Sequence, residues 1–359
     1  MALERDFVKQ FMISHGDKEA TYDAGPALWT AGAANSLIDW EPFDPIWNDT
    51  HQSDTDVVTG RELQSVHKLV RQSVTLAYNE PRTKPHSLAA FMGLSLGTIT
   101  STQDGTLTAY RHKIIPSSSI ALPSIAAQVK YDGGTQWKYT GLKGDGFTLE
   151  NNDAFFRFQS PMIGSGTRVT AADAFPAAIS EDWLLWGNSS LYLKNTAGTP
   201  ITVPPTPSQS TANLGGSEVN LSSYMIRFMV QCQNNLQPDM GYRPSTGKVR
   251  QNFHPTRRVG SVTMQFETDS ATEADELNYY INQSQLALEL TINSGTVVAA
   301  GGVFNYGMVL LIPRVQIREL ARTATQQLEN LTYTMDIMED GTNPYIVPFV
   351  YNATASYLA

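Results

Sequence analysis

The sequence predicts a mainly β protein built from two tandem β-rich units, each with one α-helix packed on its sheet. Three observations indicate this fold class. Apolar and polar residues alternate with a period of two along most apolar segments, helical patterns are few, and one strand occurs twice in similar form. The two copies of that strand read SVTLAY at residues 73–78 and SVTMQF at residues 261–266. The alternation predicts antiparallel sheets with one buried and one solvated face.

The elements that follow the two copies are predicted in the same order. After residue 73 come a helix at about 86–96, strands from YRHKII and SIAAQVKY, the pair within WKYTGLKGDGFTLE, and AFFRFQ. After residue 261 come a helix at about 272–283, a strand from LALELTI, the segment GMVLLIPRVQIREL, and strands from NLTYTMDIM and YIVPFVYN. This agreement predicts an internal duplication. The alternative is one large sandwich with coincidental similarity.

The duplication divides the chain into two predicted domains. The first spans 1–165 and includes an N-terminal contact segment, and the second spans 166–359 and includes a Pro/Ser-rich loop at about 195–217. A length of 359 residues suits two cores better than one. A third short helix is predicted in SEDWLLW, with Ser180 as its N-cap.

Composition excludes several functional classes. The net charge of −9 is unsuited to binding nucleic acid through its phosphates, because Lys and Arg provide that binding. The single cysteine, Cys232, permits neither an intramolecular disulfide nor a cysteine zinc site, and its place on an apolar strand face predicts an inert core residue. We expect neither a secretory signal nor a transmembrane segment, since the N-terminus is charged and no stretch of 18 apolar residues occurs.

One motif suggests an enzyme. Residues 93–97, GLSLG, fit the G-x-S-x-G elbow of α/β-hydrolases, which would make Ser95 a nucleophile. That elbow requires a strand before the serine and a helix after it, whereas here a helical pattern precedes Ser95 and a polar segment follows. A glycine-rich helix end explains the motif better.

Other candidate ligand sites are weaker still. The six histidines are at least 15 residues apart, so no helical histidine pair occurs, although a long-range histidine site stays open. GLKGDG leads into a strand, which predicts a hairpin turn rather than a phosphate loop. The acidic runs at 54–56 and 336–340 lack the EF-hand pattern. We therefore predict no cofactor and no metal.

A series of stretches then carries a family resemblance. In chain order they are VVTGREL (57–63), SLAAFMGLSLGT followed by AYRHKIIPSSSIALPSIAAQVKYDG, WKYTGLKGDGFTLE, DWLLWGNSSLYL, FMVQCQNNLQPDMG and PTRRVGSVTMQFE. In this series the chain resembles the tail tube proteins, also called major tail proteins, of bacteriophages with long, non-contractile tails. The resemblance covers the chain from about residue 12 to the end, and its specificity lies in the whole series rather than in any single motif.

The resemblance implies a structural protein and no enzyme. Members of the family have a β-sandwich or barrel-like fold flanked by one helix, so the expected architecture is two tandem tail-tube-type β-sandwich/barrel units. Their rings stack into a tube, and inner strands of neighbouring subunits join into one barrel through which viral DNA passes into the host. Relatives with two copies of the fold form trimeric, pseudo-hexameric rings. We therefore predict a homotrimer, with a homohexamer as the alternative.

The resemblance also implies partners and a location. The partners are a tape-measure protein, a tail terminator, tail-tip proteins and double-stranded DNA that passes without tight binding. The location is the virion, after assembly in the cytoplasm of the host bacterium. The competing functions are another β-rich virion component, such as a capsid decoration or baseplate protein, and a serine hydrolase using Ser95.

Within this reading, the polar reverse faces of the strands are candidates for the lining of a water-filled lumen. An acidic or neutral lining repels DNA phosphates and lets the DNA slide. Which sheet face lines the lumen stays open at this point. The candidate lumen-facing residues are Ser73, Thr75, Asn79, Ser261, Thr263, Gln265, Glu267, Thr332, Thr334 and Asp336.

Contacts between subunits are assigned to two further groups. Trp29, Trp40 and Trp47 lie in an irregular segment, where aromatic residues anchor interfaces or fill the segment's own core. Either this segment or the 195–217 loop is expected to contact the next ring. Arg257, Arg258 and Arg314 lie near strand edges, where they pair with acids of a neighbouring subunit or are solvated surface arginines.

Overall fold

The structure, a computed structural model, describes residues 8–25, 35–39, 41, 45–53, 67–118, 121–238, 253–267, 279–325 and 328–359. Over these residues the fold is mainly β, as predicted, and its paired strands form one large antiparallel network. The stretch VVTGREL and most of the second predicted helix lie outside the described residues. Residues 279–281 of that helix are described and are helical.

The strands and the helix follow the chain in two halves. The first half contains β1 (Val8–Ser14), β2 (Asn35–Leu37), β3 (Ile46–Trp47), β4 (Thr50–Ser53), β5 (His67–Arg71), β6 (Val74–Glu80), α1 (Pro85–Leu96), β7 (Gly97–Gln103), β8 (Tyr110–Pro116), β9 (Ile125–Tyr131), β10 (Gln136–Gly144), β11 (Gly146–Asn152), β12 (Phe155–Gly164) and β13 (Arg168–Thr170). The second half contains β14 (Ser189–Asn195), β15 (Val219–Asn220), β16 (Met225–Gln233), β17 (Leu236–Pro238), β18 (Phe253–Pro255), β19 (Val259–Glu267), β20 (Leu286–Val297), β21 (Asn305–Thr325), β22 (Leu328–Ile337) and β23 (Val347–Asn352).

The same series of antiparallel pairings occurs in both halves. In the first half the pairs are β1–β2, β1–β9, β9–β10, β10–β13, β11–β12, β12–β6, β6–β3 and β4–β5. In the second half they are β14–β15, β14–β20, β20–β21, β21–β23, β21–β22, β22–β19, β19–β16 and β17–β18. The two Ser-Val-Thr strings contribute corresponding strands, β6 and β19, in this scheme.

The hairpin turn predicted at GLKGDG is wrong. The partner strand β12 pairs with Gly144 and with Thr148 in one continuous antiparallel direction, so β10 and β11 form a single long strand that is interrupted only at Asp145. The glycines serve close approach instead of a turn. Gly146 has φ +126°, and a Cβ atom there would lie 2.1 Å from the carbonyl oxygen of Cys232 on the neighbouring strand.

In the part of the chain that the structure describes, two strand pairings join the halves. Strand β11 pairs with β16, and β8 pairs with β23. The first junction creates one sheet with the order β3-β6-β12-β11-β16-β19-β22-β21, which we call the main sheet. Its two edges are β3 and residues 316–325 of β21. Among the described strands no pairing connects these edges, so the main sheet is open rather than a closed barrel.

Helix α1 fills the space beneath the first half of the main sheet. It begins with Pro85, whose fixed φ suits the first helical position, and ends at Gly97, whose φ of +107° forms a left-handed C-cap. Every residue of the helix is buried, and it packs against β8, β10, β11 and β23. Phe91 stacks on Tyr78 of β6 with ring centroids 4.1 Å apart. The helix predicted at 86–96 is thus confirmed.

Two local predictions are wrong because tertiary pairing overrides local pattern. SEDWLLW is extended and only Trp186–Asn188 forms a short 3-10 helix. The backbone of Leu184 instead donates to the Thr83 carbonyl at 2.9 Å and accepts from Phe156 N–H at 3.2 Å. In YMIRFMVQC (224–232) the alternation predicts that Ile226 shares the buried face of Phe228 and Val230, but an irregularity between Met225 and Arg227 in β16 turns Ile226 outward, where it is 44% exposed.

Candidate functional site

The solvated side of the main sheet, here called the polar face, is the candidate functional site. Residues on the opposite side of its strands, such as Tyr78, Val262 and Tyr333, are fully buried in the core. The polar face collects nine of the ten predicted lumen residues on three strands: Thr75 and Asn79 on β6, Ser261, Thr263, Gln265 and Glu267 on β19, and Thr332, Thr334 and Asp336 on β22. The tenth, Ser73, lies just before β6, and its carbonyl accepts from Asn48 N–H at 2.8 Å.

The strand register lines these residues up in rows across the sheet. One row passes through directly opposed residues on seven neighbouring strands: Asn79, Gln159, Thr148, Gln231, Ser261, Asp336 and Gln316. Four of these residues, Gln159, Thr148, Gln231 and Gln316, were missed by the sequence analysis. The signal was present, since the same apolar–polar alternation occurs in AFFRFQ, FTLE and FMVQC, but it did not show that these strands share one face with β6 and β19.

The arginines of the polar face are held beside carboxylates. Arg318 Nη1 lies 2.8 Å from Asp336 Oδ1, and Arg227 Nη2 lies 3.5 Å from Glu150 Oε2. Arg157 Nη2 lies 3.3 Å from Glu41, and its Nε donates to Asn79 Oδ1 at 2.9 Å. Acids outnumber arginines among the described residues on and beside this face: Arg157, Arg227 and Arg318 stand against Glu41, Glu150, Glu267, Glu319 and Asp336.

A shallow cavity of about 400 Å³ lies on the first half of the polar face. Its side chains include Glu41, Asn79, Thr148, Gln159 and Gln231, which are mostly uncharged hydrogen-bonding groups. Such a surface holds water and offers a phosphate little attraction, because the cationic groups nearby are already paired.

Trp47 is the predicted contact tryptophan that the structure describes, since Trp29 and Trp40 lie outside the described residues. It sits on the edge strand β3 and is 43% exposed. Its Nε1 donates to the Tyr139 hydroxyl at 3.2 Å, and the guanidinium of Arg168 lies 3.9 Å from its ring centroid. Trp47 therefore packs within its own half on one side and still presents area at the sheet edge.

The three predicted contact arginines lie around one end of the second half. Arg258 Nη1 donates to the Ser117 carbonyl at 2.9 Å, and Arg314 Nη1 donates to the Glu339 carbonyl at 3.1 Å. Arg257 is exposed and, with Arg258, lines a cavity of about 760 Å³. Arg258 and Arg314 are thus tied to backbone of their own chain, and Arg257 is the solvated member of the group.

The geometry around Ser95 does not suit a nucleophile. Ser95 lies inside α1, is buried, and donates its hydroxyl to the Gly146 carbonyl at 3.0 Å. A helix precedes it where the hydrolase elbow requires a strand. Cys232 is likewise buried, and burial raises the pKa of its thiol to about 12, as expected for an inert core residue.

The structure brings together three histidines that the sequence analysis left apart. The rings of His15 and His86 lie 4.7 Å apart, and both His86 and His112 contact the ring of Tyr357. Separations of 26 to 97 residues hid this cluster from any spacing rule. Within the described part of the chain, no group of three or more His, Cys, Asp or Glu residues is arranged to hold a metal ion.

No protein-family model and no curated protein matches this sequence. None of the helices within the described residues is long and apolar enough to cross a membrane.

Proposed function

We propose that this protein is the structural subunit of a phage tail tube, and that copies of the chain join through the edges of the main sheet into rings that stack around a DNA channel. One observation carries the proposal. The junction between β11 and β16 inside the chain is formed by the same two kinds of edge that the chain presents at the two ends of its main sheet.

The equivalence follows from the repeated pairings. Strand β11 flanks β12, and the last part of β21 flanks β22, the strand that corresponds to β12. Likewise, β16 flanks β19, and β3 flanks β6, the strand that corresponds to β19. Within the chain, Phe147 lies opposite Cys232 and Glu150 lies opposite Met229. The free edge of β21 is therefore expected to receive β3 of the next chain as β11 receives β16, which would also remove both exposed edges.

The internal junction supplies a register for this contact. We transfer the register of β11 against β16 to β21 and β3 by aligning the corresponding strands β12 and β22. Arg322 of one chain then lies opposite Asp49 of the next chain, as Phe147 lies opposite Cys232, and Thr325 lies opposite Ile46, as Glu150 lies opposite Met229. Charge supports the register. Asp49 carries a negative charge beside the β3 edge, where its Oδ2 binds Arg168 at 3.0 Å. Arg322 is an exposed cation on the opposite edge. Ile46, which is 59% exposed, would become covered.

The width of the main sheet favours three chains per ring. Eight strands per chain at about 4.8 Å each give a wall of roughly 115 Å for three chains, or about 37 Å across before strand tilt widens it. Two chains would give about 24 Å between backbones, which side chains would narrow below the width of a DNA duplex. A homotrimer with pseudo-sixfold symmetry is therefore our proposal, with each half of the chain as one tail-tube-type unit.

The repeated pairings also refine the proposed domain boundary. Strand β13 (Arg168–Thr170) pairs with β10, so it belongs with the first unit, and the second unit begins with β14 at Ser189. In our proposal the boundary therefore moves from residue 165 to the segment between these strands.

In the proposed ring the polar face lines the channel. Its hydroxyl and amide groups keep the lumen wet, its arginines are paired, and its surplus of acids repels phosphates, so DNA passes without being held. A tape-measure protein within the tube, a terminator and tail-tip proteins at its ends, and a location in the virion after assembly in the bacterial cytoplasm belong to the same proposal.

Cysteine cross-linking tests the contact. In the double variant Asp49→Cys with Arg322→Cys, directly opposed antiparallel positions have the Cα spacing that a disulfide needs. Oxidation of assembled rings is expected to give a ladder on non-reducing gels that ends at three chains. The native Cys232 is buried and does not interfere.

The matched control is Asp132→Cys with Arg322→Cys, since Asp132 is an exposed turn residue far from β3 along the strand order. It is expected to leave the chains unlinked. A ladder that continues to six chains would keep the function and overturn the trimer. Tubes that form without cross-links would overturn the register, and a chain that never assembles would favour a capsid decoration or baseplate protein.

A further inference from the structure

The histidine cluster joins the first half of the chain to the segment that follows β23. His15 follows β1, His86 lies in the first turn of α1, and His112 lies in β8. All three surround Tyr357, which belongs to residues 353–359. Backbone bonds complete the attachment, because Leu358 N–H donates to the His15 carbonyl at 2.8 Å and Ala359 N–H donates to the Gly16 carbonyl at 3.3 Å.

A chain of hydrogen bonds connects the cluster. The backbone N–H of Thr354 donates to Asn352 Oδ1 at 2.9 Å, which fixes the amide so that Asn352 Nδ2 donates to the Tyr357 hydroxyl at 2.8 Å. That hydroxyl lies 2.8 Å from His86 Nδ1, and the Thr354 hydroxyl lies 3.0 Å from the same nitrogen. His86 Nε2 lies 2.9 Å from the Ser36 hydroxyl. The hydrogen-bonding partners of the His86 ring are thus hydroxyl groups, which pair with the neutral imidazole in either tautomer.

The same amide fixes the state of His112. Asn352 Oδ1 accepts from His112 Nε2 at 3.0 Å, so the proton of the neutral ring is on Nε2. His112 Nδ1 accepts from the Ser101 hydroxyl at 2.8 Å. The direct partners of both imidazoles are thus hydroxyls and an amide, which do not compensate a positive charge as a carboxylate would.

The charged groups near the cluster offer little compensation. Glu181 accepts from the backbone N–H of His86 at 2.8 Å, and burial raises the pKa of this carboxyl to about 7, so it is neutralised in the same acidic range. Lys84 lies close enough to oppose a charge on His86, and its own ammonium lies 2.5 Å from Asp39. Lys18 Nζ donates to the Leu358 carbonyl at 3.3 Å. Beyond these groups, His86 has His15 and His112 as neighbouring bases.

We propose that this cluster is an acid-sensitive latch: neutral His15, His86 and His112 hold residues 353–359 against the first half of the chain, and their protonation releases that segment. The inference stands on the buried cluster itself and is independent of the tail-tube proposal.

The sign of the effect follows from linkage. Burial lowers the pKa of His15 and His112 to about 4 and lowers that of His86 well below its usual value, and the neighbouring histidines lower His86 further. A released segment exposes the rings, which then regain pKa values near 6.5. The latch is therefore fully stable above about pH 6.5 and weakens as the pH falls, by up to about tenfold per histidine for each pH unit between 6.5 and 4.

Hydrogen exchange of the full chain at pH 7.5 and pH 5.0 tests the latch. After correction for intrinsic exchange, amides of residues 353–359 are expected to lose protection at pH 5.0 by at least tenfold, while those of β20 and β21 change little. His51→Gln, at an exposed residue of β4, is the control and is expected to keep this pH dependence. Equal corrected protection at both pH values would overturn the proposal.

A second pair of measurements separates a latch from a general effect of acid. The triple variant His15→Gln with His86→Gln and His112→Asn keeps polar side chains at all three positions without titrating there, so its protection of residues 353–359 is expected to change less than threefold between the two pH values. An unchanged pH dependence in this variant would overturn the proposal. If the variant does not fold, NMR titration of the three histidine rings in the native chain is the deciding measurement. Release by protonation requires that these ring resonances titrate over the same pH range in which residues 353–359 lose protection, and titration over a different range would overturn the proposal.

Discussion

The first half of the chain inserts the hairpin β7–β8 between its helix and strand β9, whereas the second half passes from residue 281 to β20 within a few residues. The strand pairings of the two halves are otherwise the same. The inserted hairpin does not extend the sheet of its own half, because β8 pairs with β23 of the second half. The difference teaches that the shared pairings build each half, and that the insertion determines how the halves are held together.

A second difference concerns the long strand of each half. In the second half β21 runs unbroken from Asn305 to Thr325 with a bulge near Arg318, whereas in the first half the equivalent strand is interrupted at Asp145. The interruption lies where β16 joins, and Gly146 there permits the close approach of the two backbones. The first-half strand is thus adapted to an internal neighbour, and the second-half strand keeps an open edge.

The largest effect is expected at the junction between the halves. Gly146→Ala adds a Cβ atom 2.1 Å from the Cys232 carbonyl oxygen at a residue with φ +126°, so both steric overlap and backbone strain oppose it. We expect a loss of about 3–5 kcal/mol in the free energy of unfolding, measured by urea denaturation. Gly187→Ala is the control, since a Cβ atom there meets nothing within 4 Å. Equal stabilities of the two variants would contradict the close approach at the junction.

A smaller loss of stability is expected from a substitution in helix α1, and almost none from one in the helical segment of the second half. Phe91→Ala removes a fully buried ring that stacks on Tyr78, and we expect a loss of about 3 kcal/mol. Ile281→Ala, in the helical segment of the second half, removes a side chain that is 63% exposed and is expected to change stability by less than about 0.5 kcal/mol. Thermal unfolding of both variants checks the difference, and a large loss for Ile281→Ala would show that the second helix is also part of the core.

The smallest effect is expected at the turn between β22 and β23. Asp340 Oδ1 accepts from the backbone N–H groups of Thr342 at 2.8 Å and Asn343 at 2.6 Å, so Asp340→Ala is expected to cost about 1 kcal/mol. Despite partial burial, a hydrogen bond from the Asn343 side-chain amide to Oδ2 at 2.8 Å, together with these two backbone hydrogen bonds, lowers the pKa of the carboxyl. The stabilisation is therefore present above the unfolded pKa and is lost as the pH falls through the folded pKa. Unfolding of Asp340→Asn, which keeps an acceptor oxygen, should lack this pH dependence.

The sequence predicts well what local pattern decides. The alternation in SVTLAY, SVTMQF and NLTYTMDIM correctly gives the buried and solvated sides of β6, β19 and β22, and the proline and glycine at its ends frame α1. Tertiary contacts decide the rest. GLKGDG is extended because α1 and β16 approach its glycines closely, and SEDWLLW is extended because Thr83 and Phe156 supply backbone partners.

The candidate site divides in the same way. The polar residues of three strands could be identified from their spacing, but their union with β11, β12 and β16 into one face depends on the β11–β16 pairing, which no local pattern encodes. The histidine cluster could not be predicted from the sequence for the same reason, since its members come together only when the segment after β23 packs against the first half.

The β11–β16 junction has a consequence for how a ring would respond to dilution. In the ring that we propose, every second sheet junction is intramolecular and forms when the chain folds, whatever the protein concentration. Only the alternate junctions lose translational and rotational freedom when they form. A trimer of fused units therefore needs three association contacts to close where a hexamer of single units needs six, so rings should form at lower protein concentration.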